Sequence, residues 1–154
     1  MERIGVFGGT FDPVHTAHLI MAESVREQMH LDKVLFVPSA NPPHKDADKL
    51  TDPKKRLEMV RMAISSNDSF EASSIEIEKG STSYTVDTLA SLREVYRGAE
   101  QVKLYLIIGL DQLIELHTWK DPGKLFMLSE VVVINRPGYT VAEIHNDYSG
   151  QVIY

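Results

Sequence analysis

Cysteine is absent from the 154-residue sequence, which excludes a disulfide framework and any zinc site built on thiolates. Long apolar runs are absent too. The longest candidate, Leu104 to Leu110, has the length of a strand and falls far short of the ~20 residues that a membrane span needs. The opening MERIGVFGG is broken by glycine too early for a signal peptide. We therefore expect one cytoplasmic domain over residues 1–154, with no membrane partner.

An excess of positive charge is missing as well. The 16 basic residues are outnumbered by 22 acidic ones, which gives a formal net charge of −6. A broad nucleic-acid-binding face needs a basic surface, so the composition argues against a nucleic-acid partner. Small anionic ligands remain compatible with this composition, provided that positive charge is concentrated where they bind.

The sequence does contain a regular alternation of strand-like and helix-like segments. Short apolar runs predict strands at Arg3 to Phe7, Lys33 to Val37, Val102 to Ile108 and Val131 to Asn135, and Phe70 to Ile77 is also predicted to be extended. Between them, amphipathic segments predict helices that begin near His15, Pro53, Tyr84 and Lys124. This alternation predicts an α/β fold with a doubly wound parallel sheet, for which we expect the strand order 3-2-1-4-5.

The stretch GGTFDPVHTAH, residues 8 to 18, follows the first predicted strand. In such sheets ligands bind beyond the carboxyl ends of the strands, where the strand order reverses. Gly8 and Gly9 would let ligand atoms approach the backbone, and the following helix offers free N–H groups to a phosphate. His15 and His18 lie one turn apart on one face of that helix. These features favour a nucleotide phosphate site.

Two other interpretations of the histidines stay open on spacing alone. A metal site would need further ligands, and the remaining four histidines show no clustered spacing. Alternatively, both histidines have a purely structural role. The stretch is neither a Walker A loop nor a GxGxxG motif.

Residues 8–18 resemble the GGTFDPxHxGH signature of the adenylyl- and cytidylyltransferase superfamily, with Ala17 where glycine is usual. The resemblance implies a Rossmann-like nucleotidyltransferase fold, with His15 and His18 as the catalytic residues. It also implies that ATP is bound by this signature and by two later segments. The implied ATP-binding residues are Gly8, Gly9, Thr10, Phe11, His15, His18, Gly109, Asp111 and Arg136.

Four later segments resemble bacterial nicotinate-nucleotide adenylyltransferases, in the same order. They are NPPHK at 41–45, SYTVDT at 83–88, IIGLD at 107–111 followed by WK at 119–120, and NRPGY at 135–139. The resemblance implies a nicotinate mononucleotide site formed by Lys45, Tyr84, Thr85 and Trp119. Lys45 would neutralise the mononucleotide phosphate and Trp119 would stack on the pyridine ring. Tyr84 and Thr85 would receive the nicotinate carboxylate.

Each of these residues also has an ordinary structural interpretation. Lys45 could be a solvated loop lysine, and Trp119 a core residue. Ser83 or Thr82 could simply cap the helix that begins near Tyr84. Asp111 could accept hydrogen bonds from ribose hydroxyls or merely begin a helix, and Arg136 could reach ATP phosphate or pair with a surface carboxylate.

The implied reaction transfers the adenylyl group of ATP to nicotinate mononucleotide, with Mg²⁺ carried in by ATP and no dedicated metal site on the protein. Alternatives are a pantetheine-phosphate adenylyltransferase and a catalytically inactive nucleotide-binding module. The superfamily's ISSTxIR segment does not occur in these 154 residues, and we expect it in a longer natural chain. The sequence leaves the oligomeric state open, with a homodimer as one option.

Overall fold

The computed structural model of the protein describes residues 1–42, 49–98 and 101–135, and the backbone of residues 152–153. The strands are β1 (Glu2–Gly9), β2 (Lys33–Pro38), β3 (Phe70–Ala72), β4 (Val102–Gly109), β5 (Glu130–Ile134) and β6 (Val152–Ile153). The helices are α1 (Thr16–Gln28), α2 (Pro53–Ile64), α3 (Ile75–Lys79), α4 (Thr85–Val95), α5 (Leu110–Glu115) and α6 (Pro122–Leu128), with a 3₁₀ turn at Leu116–Thr118. Among these described helices, none has the length and apolar character needed to cross a membrane.

The described strands form one parallel sheet in the order β3-β2-β1-β4-β5-β6. The predicted doubly wound sheet with order 3-2-1-4-5 is therefore confirmed, and the short β6 extends it beyond β5. From β1 the chain moves outward through β2 and β3, and from β4 it moves the other way. The strand order thus reverses between β1 and β4, whose carboxyl ends form the expected crevice.

Side chains of the central strands alternate between two buried layers. On β4, Leu104, Leu106 and Ile108 pack in the layer that contains α4 and α6, whereas Tyr105 and Ile107 pack in the layer that contains α1 and α2. Successive strand residues point to opposite faces, so a strand covered on both faces must be apolar throughout. This is why the strands appear in the sequence as continuous apolar runs.

The strand predicted over Phe70 to Ile77 is wrong in its second half. β3 ends at Ala72, and the short helix α3 follows and ends at Gly80, whose φ of 71° is left-handed. The chain therefore stays helical through Lys79. The alternation of isoleucine and glutamate suggested a strand with one exposed face. Instead, Glu76 of α3 accepts a hydrogen bond from the Thr88 hydroxyl of α4, and this tertiary contact favours the helix.

The last two residues of β1 open the crevice. Gly8 pairs with Val37 and Gly9 with Pro38, so β1 stays paired with β2 to its end. Its pairing with β4 ends earlier, at Phe7. The two central strands therefore separate at the glycines, which leaves room between their ends.

Candidate functional site

Gly8 and Gly9 lead into a tight turn that buries Phe11. Phe11 has a left-handed φ of 50°, and its side chain is 3% exposed. A Cβ on Gly9 would lie 3.2 Å from Cζ of Phe11, so packing favours glycine there. A Cβ on Gly8 would find its nearest described atom, the carbonyl oxygen of Val37, at 3.9 Å. The space beside Gly8 is therefore open to a ligand.

His15 and His18 stand at the start of α1, where His15 is the N-cap residue. The backbone N–H of His15 donates to Nδ1 of His18 at 3.1 Å. The two rings stack with their centroids 3.8 Å apart, and the ring of Phe11 meets His18 edge-on at 5.1 Å. His18 is therefore held by the helix start on one side and by the buried turn on the other.

These contacts determine which nitrogen of His18 carries the proton. Because Nδ1 accepts the amide hydrogen of His15, the proton of the neutral ring lies on Nε2. Burial lowers the pKa of His18 below its ordinary value, and the neighbouring charge of His15 lowers it further. The neutral ring therefore offers an N–H donor at Nε2.

A cavity of about 660 Å³, here called the histidine cavity, opens beside these two side chains. Its described lining includes Gly8, Gly9, Thr10, Phe11, Asp12, His15, His18, Met21, Lys49, Gly109 and Gln112. The structure thus brings the glycine turn, the histidine pair and the end of β4 to one site. Phe11 contributes mainly as a buried support beneath the glycines.

A second cavity of about 440 Å³, here called the tryptophan cavity, lies beside α4. Trp119, Tyr84 and Thr85 line it, so the structure brings Trp119 together with two neighbouring residues from a distant part of the sequence. The two cavities share a wall formed by Gly8, Gly9, Thr10 and Gln112. Ligands bound in the two cavities would therefore meet at the end of β1.

Charged residues make contacts beside Tyr84 at the tryptophan cavity. Lys120 donates to the Asp87 carboxylate at 2.9 Å, and its ammonium lies 5.0 Å from the centroid of the Tyr84 ring. Tyr84 itself is the N-cap residue of α4, so the suggested cap at Ser83 or Thr82 is wrong. Trp119 is half-buried, packs against the core layer of α4 and also lines the cavity, so its core contacts leave part of the side chain available to a ligand.

Arg56 of α2 holds the backbone of the turn after β1 through hydrogen bonds, and the sequence analysis did not predict this role. The residue is fully buried. Its guanidinium donates to the carbonyl oxygens of Thr10, Thr51 and Ala40 at 2.7, 2.8 and 3.4 Å. It thereby ties the turn after β1 to the loops on either side of residues 43–48.

A signal for Arg56 was present in the sequence. Arg56 lies four and eight residues before Val60 and Ile64, which places all three on one face of α2. The preceding Lys54 and Lys55 made Arg56 resemble part of a solvated charged face. Burial lowers the pKa of its guanidinium, opposed by the charges of Asp12 and Asp52.

Two further lining residues were also missed. Gln112 lines both cavities, and its side-chain oxygen accepts a hydrogen bond from the backbone N–H of Gly109 at 2.9 Å. Glu76 lines the tryptophan cavity from α3. Nothing in the sequence marked either residue, because their positions depend on helix starts that only tertiary packing determines.

Asp111 is the one described residue of the predicted site that the lining of neither cavity includes. It is exposed in the first turn of α5. Lys45 and Arg136 lie outside the described residues. Within the part of the chain that is described, no group of three or more histidine, aspartate or glutamate side chains is arranged to hold a metal ion.

The geometry agrees with comparisons to known proteins. Residues 6–153 match the family model described as "Cytidylyltransferase-like". A protein of Desulfitobacterium hafniense (strain Y51) named "Probable nicotinate-nucleotide adenylyltransferase" is 43% identical over 151 residues, covering 96% of this chain and 72% of that one. The chain belongs to the nicotinate-nucleotide adenylyltransferase family. A second family member, from Thermoanaerobacter sp. (strain X514), is 42% identical over 158 residues and covers 99% and 74% of the two chains.

A solved structure shares the fold of this nicotinate-nucleotide adenylyltransferase family member. It is "Plasmodium falciparum nicotinic acid mononucleotide adenylyltransferase complexed with NaAD", with a TM-score of 0.75 and 20% identity, covering 97% of this chain and 69% of that one. At this identity the likeness concerns the fold alone. The sequence resemblance to nicotinate-nucleotide adenylyltransferases is thus confirmed as family membership.

Proposed function

We propose that the protein transfers the adenylyl group of MgATP to nicotinate mononucleotide, forming nicotinate adenine dinucleotide and pyrophosphate. The observation that carries this proposal is the pair of cavities that share the end of β1 as a wall. One cavity presents imidazoles and a helix N-terminus, which suit phosphates. The other presents an indole ring and a second helix N-terminus, which suit an aromatic ring bearing a carboxylate.

ATP occupies the histidine cavity in this proposal. Gly8, Gly9 and Thr10 admit the phosphates close to the backbone, and Gly109 does the same from the end of β4. His18 donates from Nε2 to the α-phosphate, while His15 orients the phosphates beside the N-terminus of α1. Asp111 is proposed for the ribose hydroxyls and Arg136 for the phosphates of ATP.

Nicotinate mononucleotide occupies the tryptophan cavity. Trp119 stacks on the pyridine ring, and the first turn of α4, at Tyr84 and Thr85, receives the carboxylate. Lys45 is proposed to neutralise the mononucleotide phosphate. Donors placed for a carboxylate would face the NH₂ group of nicotinamide, so this arrangement favours nicotinate.

The shared wall sets the reaction geometry. An oxygen of the mononucleotide phosphate attacks the α-phosphorus of ATP in line, and the bond from that phosphorus to the oxygen bridging to the β-phosphate breaks. Pyrophosphate leaves with the bonding electrons. Because the nucleophile is already an anion, no general base is needed, and catalysis rests on positioning and charge stabilisation.

Magnesium is proposed to enter and leave as part of the substrates and products. Mg²⁺ binds nucleotide phosphates and water readily and keeps much of its hydration, so it needs few protein ligands. The described lining of the histidine cavity, rich in imidazole and backbone donors, suits the phosphate oxygens of such a complex. A cytoplasmic location, where ATP is available, completes the proposal.

Pyrophosphate release tests the assignment. The protein is incubated with MgATP and, in parallel, nicotinate mononucleotide, nicotinamide mononucleotide or phosphopantetheine. We expect the highest kcat/KM with nicotinate mononucleotide. Preference for phosphopantetheine would indicate a pantetheine-phosphate adenylyltransferase instead, and ATP binding without turnover of any acceptor would indicate a binding module.

A further inference from the structure

Glu76 is an acidic residue in the wall of a cavity proposed to receive an anion. Its half-buried side chain reaches from α3 to the start of α4 and lines the tryptophan cavity next to Tyr84 and Thr85. The negative charge of a carboxylate in this position would repel the nicotinate carboxylate, so charge does not explain a role of Glu76 in binding. Its hydrogen bonds suggest a structural role instead.

The Thr88 hydroxyl has two hydrogen-bond acceptors within reach. It lies 2.9 Å from Oε2 of Glu76 and 3.3 Å from the carbonyl oxygen of Tyr84, one helical turn earlier. The hydroxyl has a single proton, and the shorter contact to the carboxylate oxygen is the stronger hydrogen bond. Glu76 therefore draws the Thr88 proton away from the Tyr84 carbonyl.

The hydrogen bond from Thr88 to Glu76 affects the first turn of α4. The Tyr84 carbonyl accepts the backbone N–H groups of Asp87 and Thr88 at 3.0 and 3.1 Å. Thr88 therefore closes the first turn of α4, and its hydroxyl ties that turn to α3 through Glu76. With Glu76 as the acceptor, the turn keeps regular geometry at the residues that line the cavity.

The segment before α4 is anchored on its other side as well. The backbone N–H of Ser83 donates to the carbonyl oxygen of Asn41 at 3.2 Å, next to the isolated bridge between Asn41 and Thr82. The start of α4 is therefore held between the loop after β2 and the carboxylate of Glu76. Only the second of these contacts depends on a side chain that can be replaced.

The charges around Glu76 are consistent with a structural use of its carboxylate. Lys79 on the same helix and Lys120, which lines the same cavity, both lie against Asp87 of α4, at 3.8 and 2.9 Å. Glu115 also lines the tryptophan cavity. Burial raises the pKa of Glu76, opposed by the hydroxyls of Thr88 and Ser83 and by the charge of Lys79.

We propose that Glu76 is a positioning residue that holds the first turn of α4, through the Thr88 hydroxyl, in the geometry that receives the nicotinate carboxylate. This inference rests on the proposed function of the tryptophan cavity. Glu76 acts as a hydrogen-bond acceptor that positions the nicotinate mononucleotide site, and the ATP site does not depend on this residue.

Steady-state kinetics of five variants test the inference. We expect Glu76→Ala to raise KM for nicotinate mononucleotide about 10-fold, the scale of one lost hydrogen bond to a charged group, with kcat and KM for ATP within about twofold. Thr88→Val should have the same effect, and the double variant should be no worse than either single one. Glu76→Gln keeps an acceptor oxygen and should restore most of the affinity. Glu78→Ala, an exposed change on the same helix, is the matched control.

Amide hydrogen exchange provides a readout that needs no substrate. Glu76→Ala and Thr88→Val should speed exchange at the amides of Asp87 and Thr88, whereas Glu78→Ala should not. Additive kinetic effects, equal rises in both KM values, or unchanged exchange in Glu76→Ala would each overturn the inference. If the unaltered protein fails to use nicotinate mononucleotide, the proposed function fails, and the exchange result still decides whether Glu76 holds the turn.

Discussion

The backbone N–H of His15 donates a hydrogen bond to Nδ1 of His18 at 3.1 Å, and the two rings stack at 3.8 Å. The first turn of α1 therefore fixes both the position of the His18 ring and the nitrogen that carries its proton. The Nε2–H donor that we propose for the ATP phosphate is therefore oriented before any ligand binds.

His18→Ala should lower kcat by ~10²–10³, the scale of losing one donor that stabilises developing charge. Pyrophosphate release under saturating substrates measures the change. His30→Asn, at an exposed position with a left-handed φ of 53° that asparagine tolerates, is the control and should keep full activity. Unchanged turnover in His18→Ala would remove the residue from the mechanism.

The pKa of His18 should lie below the ordinary value of a histidine side chain. Burial and the charge of His15 both lower the pKa of His18, so its midpoint should lie below 6.5. Since the folded state resists protonation of this ring, stability associated with His18 is present at neutral pH and lost as the pH falls through the lowered value. Long-range ¹H–¹⁵N spectra should show the proton on Nε2, and His15→Asn should raise the midpoint. A proton on Nδ1 at neutral pH would contradict the assignment.

Gly8→Ala should separate folding from binding. The added Cβ meets its nearest described atom at 3.9 Å, and the backbone there needs no left-handed conformation, so the free energy of unfolding should stay constant or rise by up to about 1 kcal/mol. The same methyl group would intrude on the shared wall of both cavities, and kcat/KM should fall at least ~10-fold, as expected when reacting groups are displaced. Full activity in a stable Gly8→Ala protein would show that the phosphates pass elsewhere.

Trp119→Ala should raise KM for nicotinate mononucleotide by ~10–100-fold, the range expected from the loss of one base-stacking contact. KM for ATP should change much less, because the histidine cavity does not include this residue among its described lining. Trp119→Phe keeps an aromatic face and should recover most of the affinity. Equal effects on the two substrates would argue for a core role alone.

Arg56→Ala should destabilise the fold by at least about 3 kcal/mol, because three carbonyl groups lose their donor in a buried place. Urea unfolding followed by circular dichroism measures the loss. Arg61→Ala, on the same helix but in an exposed pair with Glu58, should change stability far less. Similar losses in both variants would mean that the hydrogen bonds of Arg56 contribute little.

Most of the sheet could be predicted from the sequence because a strand buried on both faces must be apolar throughout, and the runs at β2, β4 and β5 largely met this condition, whereas the run at β3 did not. The glycine turn and the histidine pair could be found for a similar reason, since the function proposed for them needs particular residues at fixed local spacing. Local rules of this kind survive folding with little change. Residues 8 to 18 accordingly lie where the pattern indicated.

Glu76 and Arg56 show where such rules fail. The alternating pattern around Glu76 is as typical of a strand as of a helix, and the hydroxyl that favours the helix comes from residue 88. Arg56 has the chemistry of a surface residue, and its burial is made favourable by carbonyl groups from the turn after β1 and from the connection between β2 and α2. Both depend on contacts between segments distant in sequence, which no local pattern contains.

The wall that the two cavities have in common also bears on inhibitor design. A non-hydrolysable molecule that joins an adenosine fragment to a pyridine carboxylate would fill both cavities through one short linker. Once the first fragment is bound, the second is held at high effective concentration, so the joined compound should bind far more tightly than either fragment. This gain in affinity depends on a linker whose length matches the path past Gly8 between the two cavities, which makes linker length the first variable to explore.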